Sequence, residues 1–304
     1  MTGSSGFVGS HIVATLIDNG LEVCGLDRDP PVAGAEPSEY LACDVTDRES
    51  FAELIEGVEP DAIVHAAAFT PGDGEIDRTR HIVEVNQGST LSALKAAARA
   101  GCRRFVFVSS AGVYADPAPG EVLTEASPVA RTVGLYAQTK LASEGLCAWA
   151  ARELGLLTTA LRVGPAYGEF ERPTGSRARM SPLHRAIELA ISGETIRCNT
   201  GDTIYNWIHG SDIGRAIVAV LSSTPSQPVY NVAGPPITVA ETLETLCELM
   251  DRDCEWTTGV DGANLIVPHV SRPISSALIG TELEFRPAVD LRAGMASVLA
   301  AHRA

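Results

Sequence analysis

Three glycines at the start of the chain limit its fold more than anything that follows. Gly3, Gly6 and Gly9, in MTGSSGFVGSHIV, form a G-x-x-G-x-x-G run that passes straight into a helical pattern. Glycines so spaced allow a tight turn and let backbone come close to a ligand at a helix start. Such a loop normally hangs from the end of a buried β-strand, yet only Met1 and Thr2 precede Gly3. In a doubly wound sheet that strand lies in the middle. Without it, ladder groups of two neighbours lose partners at about 1–3 kcal/mol each. The expectation is a native chain with roughly six to eight further residues, apolar and β-branched, ahead of Met1. The alternative is a degenerate chain with a weakened ligand site.

Short apolar runs and helical patterns then alternate. Ser10 to Asn19 reads as a helix closed by Gly20. Strands are expected at LEVCGLD (21–27), EYLACD, DAIVHAAA (61–68), RRFVFVSS (103–110) and LLTTALRV (156–163). Helices are expected from Asp47 through Gly57, over Thr79–Ala100 and over Leu135–Leu154. This rhythm predicts an α/β fold with a parallel sheet covered on both faces. After Gly164 a Gly-, Pro- and Arg-rich stretch, GPAYGEFERPTGSRARMSP, reads as a long functional loop. Further helices are expected near Pro182–Ser192, Ser211–Ser222 and Val239–Met250.

Charge and cysteine content narrow the partners. The 304 residues carry a formal net charge of −15, which disfavours nucleic acid and anionic membrane. Seven scattered cysteines with no C-x-x-C fit a reducing, cytoplasmic setting. No Cys/His cluster suggests a metal. His65 reads as a packed, satisfied side chain and His209 as structural.

Asp27 ends the strand that follows the glycine loop, about 20 residues on, where an acid accepts ribose hydroxyls of a dinucleotide. Its charge favours NAD over the 2′-phosphate of NADP. Arg28 reads as a solvated loop charge that could still tolerate that phosphate, so NADP stays open. Further on, VSSAGVY follows a strand and YAQTK lies on a helix, with Tyr136 and Lys140 at i and i+4 on one face. A phenol with its usual pKa near 10 needs a shift of about three units for proton transfer near neutrality. A nearby ammonium and an oxidised nicotinamide act in that direction. Ser110, at its strand end, can hold the substrate oxygen on the same line.

Together these stretches resemble the extended short-chain dehydrogenase/reductase family, which holds NAD-dependent sugar-nucleotide epimerases and dehydratases. The resemblance runs through TGSSGFVGS, CDVTD, HAAA, NQGSTLSAL, VSSAGVYAD, YAQTKLASE, LRVGPAYG, WIHGSDIGRAI and VYNVAGP. It implies a Rossmann-type doubly wound parallel sheet over 1–165 plus about 204–234. A smaller C-terminal substrate-binding domain would take about 166–203 plus 235–304. Ser110 would hold the substrate oxygen, Tyr136 would be the acid/base, and Lys140 would bind the nicotinamide ribose. Gly3, Gly6, Phe7, Val8, Gly9, Asp27, Arg28, Asp44, Val45, Ala66, Ala67, Ala68, Asn86 and Ser109 would line the cofactor. A homodimer through helices 79–100 and 135–154 is also implied.

Departures from the family pattern narrow the chemistry. Its 4,6-dehydratases carry an Asp-Glu pair after the catalytic hydroxyl residue, whereas Ala111 and Gly112 follow Ser110 here. Pro165 and Tyr205 stand where many members have the Asn and Arg that hold a substrate diphosphate. Arg172, Arg177, Arg179 and Arg185 offer cations instead. Arg177 and Arg179, two apart, would point the same way in an extended loop. The expected substrate is a smaller anion, such as a sugar acid, held by Arg177, Arg179 and Tyr205. Epimerase, dehydrogenase or ketoreductase chemistry would all use the same Ser110, Tyr136 and Lys140. A non-catalytic NAD(P)-binding regulator is the alternative of another class.

Overall fold

In a computed structural model, residues 1–70, 75–130, 134–251, 253–259, 261–268 and 272–303 are described. The first half alternates strand and helix as expected. Its strands are β1 (Cys24–Asp27), β2 (Glu39–Ala42), β3 (Ala62–His65), β4 (Arg104–Ser110) and β5 (Leu157–Val163). Its helices are α1 (Phe7–Asp18), α2 (Arg48–Val58), α3 (Thr79–Val83), α4 (Ser89–Arg99) and α5 (Leu135–Glu153). Gly20, at φ +76°, turns the chain out of α1 in a conformation that only glycine adopts cheaply.

The second half contributes β6 (Ala166–Tyr167), β7 (Ile196–Cys198), β8 (Ile204–Tyr205), β9 (Ile208–His209), β10 (Val229–Val232), β11 (Ile237–Thr238) and β12 (Trp256–Thr258). Helices α6 (Pro182–Ser192), α7 (Gly210–Leu221), α8 (Val239–Leu249), α9 (Ala277–Glu282) and α10 (Leu291–Ala301) complete it. Ser181 caps α6 with Pro182 at the first turn, and Thr238 with Glu241 forms a capping box on α8.

The main sheet is parallel throughout. Strands β10, β5, β4 and β3 pair in that order, and β1 pairs with β2. Between β1 and β3 stands Thr2, bridging Leu26 on one side and His65 on the other. Thr2 N donates to Val64 O at 3.0 Å, and Leu26 N donates to Met1 O at 2.7 Å. Met1 and Thr2 thus hold the central position, beside a cavity of about 470 Å³ bounded by Leu16, Cys24, Ile55, Ala62 and Leu221.

Among the described residues three large cores form: one packs α2, α4 and α5 on the sheet through Phe51, Leu94, Ala97, Phe105, Phe107 and Cys147, and the other two follow this division. Of these two, the first packs α1 and α7 on the sheet through Ile12, Val13, Leu161, Ile213, Ile217 and Tyr230. The second joins Tyr167, Leu183, Ile187, Trp207, Leu243, Leu246 and Met295. Ile279 and Phe285 return from the C-terminal part to the first core.

Two expectations need correction. The helix expected over 79–100 is broken by a π turn, Glu84–Gly88. The cause is Asn86. Its side chain bonds Phe69 N at 2.6 Å, Phe69 O at 3.1 Å and Thr139 at 3.0 Å, and its carbonyl accepts from Ser143. Such insertions often mark functional regions. The cysteines are also not all free. Cys247 and Cys254, seven apart at the end of α8 with Cα atoms 4.9 Å apart, form a disulfide. The other five are free.

Candidate active site

The carboxyl ends of the strands meet at the glycine loop. Gly3 has φ +67°, and a Cβ there would lie 2.6 Å from Ala67 N. A Cβ on Gly9 would lie 1.8 Å from Gly3 O. Gly6 begins α1 with no side-chain cap, so backbone N–H groups at its first turn stay open to an anion. The hydroxyls of Ser4 and Ser5 are buried without a partner. This bare, close-packed cradle fits a dinucleotide pyrophosphate.

Two adjoining cavities share this loop. The smaller, about 90 Å³, is lined by Asp27, Arg28, Asp44, Val45 and Ala66–Ala68. The Asp27 carboxylate accepts from Ser5 N at 3.0 Å and Asp29 N at 3.1 Å. Burial raises its pKa, and those two donors oppose the rise. Arg28 is exposed, as a loop charge is expected to be, with its guanidinium beside Gly175. The larger cavity, about 330 Å³, holds Phe7, Val8, Gly9, Ser109, Ser110, Tyr136, Lys140, Pro165, Arg177 and Trp207. The expected cofactor residues therefore gather around these two cavities, with one exception. Asn86 is 1% exposed and lines neither, its side chain being spent on the π turn.

Ser110 ends β4 while Tyr136 and Lys140 sit on the first turns of α5, and packing of α5 on the sheet joins them. Lys140 is 2% exposed and donates to Val108 O at 2.8 Å. Burial brings its pKa down to about 8. Its Nζ lies 5.8 Å from the centre of the Tyr136 ring. The phenol of Tyr136 is held above its usual range by burial, against a lowering pull from Arg177 and a hydrogen bond with Ser110. The expected downward shift is thus not made by the chain's own groups. Lys140 is turned to a backbone carbonyl, and burial outweighs the Arg177 charge.

Behind these residues lies a support that sequence reading missed. Ser109 donates to Glu144 at 2.6 Å, and Glu144 pairs with Arg162 at 2.7 Å with both side chains under a tenth exposed. The signal was present as spacing, since Tyr136, Lys140 and Glu144 fall at i, i+4 and i+8 of one helix face.

The arginine-rich loop does not run extended. Thr174 and Arg177 exchange backbone hydrogen bonds of 2.9 and 3.2 Å, forming a turn. Arg177 consequently enters the larger cavity while Arg179 stays exposed, contrary to the expectation that both point one way. Arg172 donates to Ser5 O at 2.6 Å, and Arg185 pairs with Glu188 at 3.2 Å. Tyr205 lies outside the cavity lining and stacks on Trp207, which belongs to it.

His65 is satisfied, bonding Thr2 at 2.7 Å and Ser89 at 3.2 Å. His209 caps α7 by accepting from Ser211 N. Its Nε2 faces Glu169 at 3.2 Å, with His11 Nε2 at 3.7 Å from the same oxygen. Among the described residues these three bring metal-ligand atoms within 4.8 Å of one another. Acceptance at Nδ1 puts the His209 proton on Nε2, toward the carboxylate, which suits a hydrogen bond rather than a metal.

Residues 1–233 match the model of the NAD dependent epimerase/dehydratase family. The chain belongs to this family. It is 30% identical over 247 residues to a 3 beta-hydroxysteroid dehydrogenase/Delta 5-->4-isomerase of Mycobacterium tuberculosis, covering 79% of this chain and 66% of that protein. The chain thus spans slightly under two thirds of the length of that relative. A dTDP-glucose 4,6-dehydratase of Streptomyces niveus is 29% identical over 327 residues, 100% of this chain and 92% of the other. Among solved structures, MoeE5 in complex with UDP-glucuronic acid and NAD superposes with a TM-score of 0.83. It is 26% identical, with 99% of this chain and 97% of that one covered. The Rossmann-like α/β fold and the family's use of NAD agree with the cradle described above. No helix among the described residues is long and apolar enough to cross a membrane.

Proposed function

We propose that the protein is an NAD-dependent oxidoreductase or epimerase. It would act on a hydroxyl-bearing carbon of a sugar or sugar-acid-like substrate. The observation that carries this reading is the convergence of Ser110, Tyr136 and Lys140 on the cavity that also holds the first turn of α1. When bound, NAD supplies the hydride acceptor and a positive ring. Ser110 holds the substrate oxygen, and Tyr136 takes or returns its hydroxyl proton. Lys140 grips the nicotinamide ribose. Ala111 and Gly112 carry no proton-transfer group, so water elimination is not part of the reaction. The intact trio argues against a non-catalytic regulator.

On the substrate side, Arg177 faces the cavity, and Tyr205 supports its Trp207 wall. Arg179 approaches from outside, its charge acting on the Tyr205 phenol. A smaller anionic substrate suits this end. A ketoreductase on a non-sugar substrate is the second reading, favoured by the apolar Pro165 and Trp207 lining and by the named steroid dehydrogenase relative. We further infer a cytoplasmic homodimer paired through the 79–100 segment and α5, where Val83 and Leu91 are exposed.

Tyr136→Phe is expected to leave folding and NAD binding intact and to cut turnover by about 10²-fold or more. Unchanged turnover on the true substrate would remove Tyr136 from the reaction. NAD retained through purification favours epimerase, while an empty but titratable site favours dehydrogenase.

A further inference from the structure

Arg177 is placed for a second task, on the cofactor side of the cavity. Its guanidinium lies over the Phe7 ring, 5.2 Å from the centroid, and Phe7 is the first residue of α1. The segment carrying it is tied across the glycine loop at three points. Thr70 N donates to Ser176 O at 2.8 Å, Arg172 donates to Ser5 O at 2.6 Å, and Gly175 packs on Arg28. Glu171 holds the guanidinium in place. Its carboxylate side chain is 1% exposed and accepts from Arg177 Nη2 at 2.5 Å, Ser181 N at 2.7 Å and Ser181 Oγ at 2.7 Å. That grip uses one end of the fork. The Nε of Arg177 is buried with no partner. A buried, charged donor left open beside uncapped helix N–H groups calls for an anionic acceptor.

We propose that Arg177 is a cofactor-binding residue whose guanidinium, positioned by Glu171, closes the 170–181 segment over the pyrophosphate of bound NAD. The proposal rests on the reading that NAD occupies this cleft and adds a ligand to it that the glycine loop does not provide. Glu171 is then a positioning residue, acting through Arg177. The grip also explains why Arg177 turns inward while Arg179, with no buried carboxylate to hold it, stays outside.

Calorimetric titration with NAD and with ADP-ribose tests this, since both carry the pyrophosphate and only one carries nicotinamide. Arg177→Ala is expected to raise both dissociation constants about tenfold or more. Glu171→Gln should raise them by a smaller factor, and Arg177→Ala combined with Glu171→Gln should be no worse than Arg177→Ala alone. If Arg177→Ala leaves both affinities unchanged and raises only the substrate KM, Arg177 belongs to the substrate and the proposal falls. Should the variants fail to fold, hydrogen exchange of the unmodified protein serves. ADP-ribose must then protect residues 170–181 and adenosine must not; equal protection overturns the proposal. Absence of NAD binding by the unmodified protein would instead overturn the cofactor reading beneath it.

Discussion

Lys140 is one of only two lysines in the chain, and burial sets its state. Its pKa is about 8 in the folded protein against the usual 10.5. Between those values the unfolded chain keeps a proton that the folded chain has shed. Stability from this group therefore rises with pH across that window and is penalised below it. The penalty at pH 7 is on the order of 3 kcal/mol, before the Val108 hydrogen bond is counted. Such a cost suits a functional charge, because the fold itself would be better served by an apolar side chain. Lys140→Met is expected to raise the Tm at pH 7, with the gain fading by pH 10. Thermal unfolding at both values checks this. A lower Tm at pH 7, unchanged at pH 10, would show that the ammonium stabilises the fold.

At the scale of elements, α5 does the aligning. Its Tyr136–Lys140–Glu144 stripe faces β4 and β5, and the Glu144–Arg162 pair fixes the helix to the strand beside Ser110. Arg162 also stacks on Tyr114 at 4.8 Å, whose hydroxyl donates to Asn231 on β10. Glu144→Ala leaves a buried guanidinium without its counter-charge, which costs about 3–5 kcal/mol. Urea unfolding should show a loss of that size, and one below about 1 kcal/mol would mean that water or Glu125, whose backbone carbonyl lies 3.5 Å from the Arg162 guanidinium, takes over. The Tyr136–Lys140 pair was legible because i, i+4 spacing is a property of the chain alone, whereas the role of Glu144 was not. The π turn at Asn86 and the Thr174–Arg177 turn were not legible either. The first depends on hydrogen bonds to the distant Phe69, and the second, local in its own bonds, is held in place by the distant Thr70. Glu171 was hidden for the same reason, its partner Arg177 being brought back to it by that turn.

The whole molecule is a parallel sheet with a core on each face and a third core in the second half, and the arginine loop is drawn over the cleft proposed for the cofactor. The parallel sheet and the glycine cradle were readable because strand runs and glycine spacing are local. The disulfide was not, since pairing of Cys247 with Cys254 depends on how the chain leaves α8. A ligand that enters this cleft binds only the folded chain, so it adds RT ln(1 + [L]/Kd) to stability, about 2.7 kcal/mol at one hundred times Kd. For a chain of this size that amounts to a rise of about 4 °C in Tm. Asp27 is expected to decide which dinucleotide gains most. Its carboxylate, fixed by Ser5 N and Asp29 N, can accept from a ribose 2′-hydroxyl and repels a 2′-phosphate, while Arg28 beside it offers partial compensation. NAD is therefore expected to raise the Tm more than NADP at equal concentration, and Asp27→Ala is expected to narrow the difference. Thermal shift measurements with both dinucleotides decide it. A larger shift with NADP on the unmodified protein would mean that Arg28, pressed against Gly175, outweighs the acid next to it.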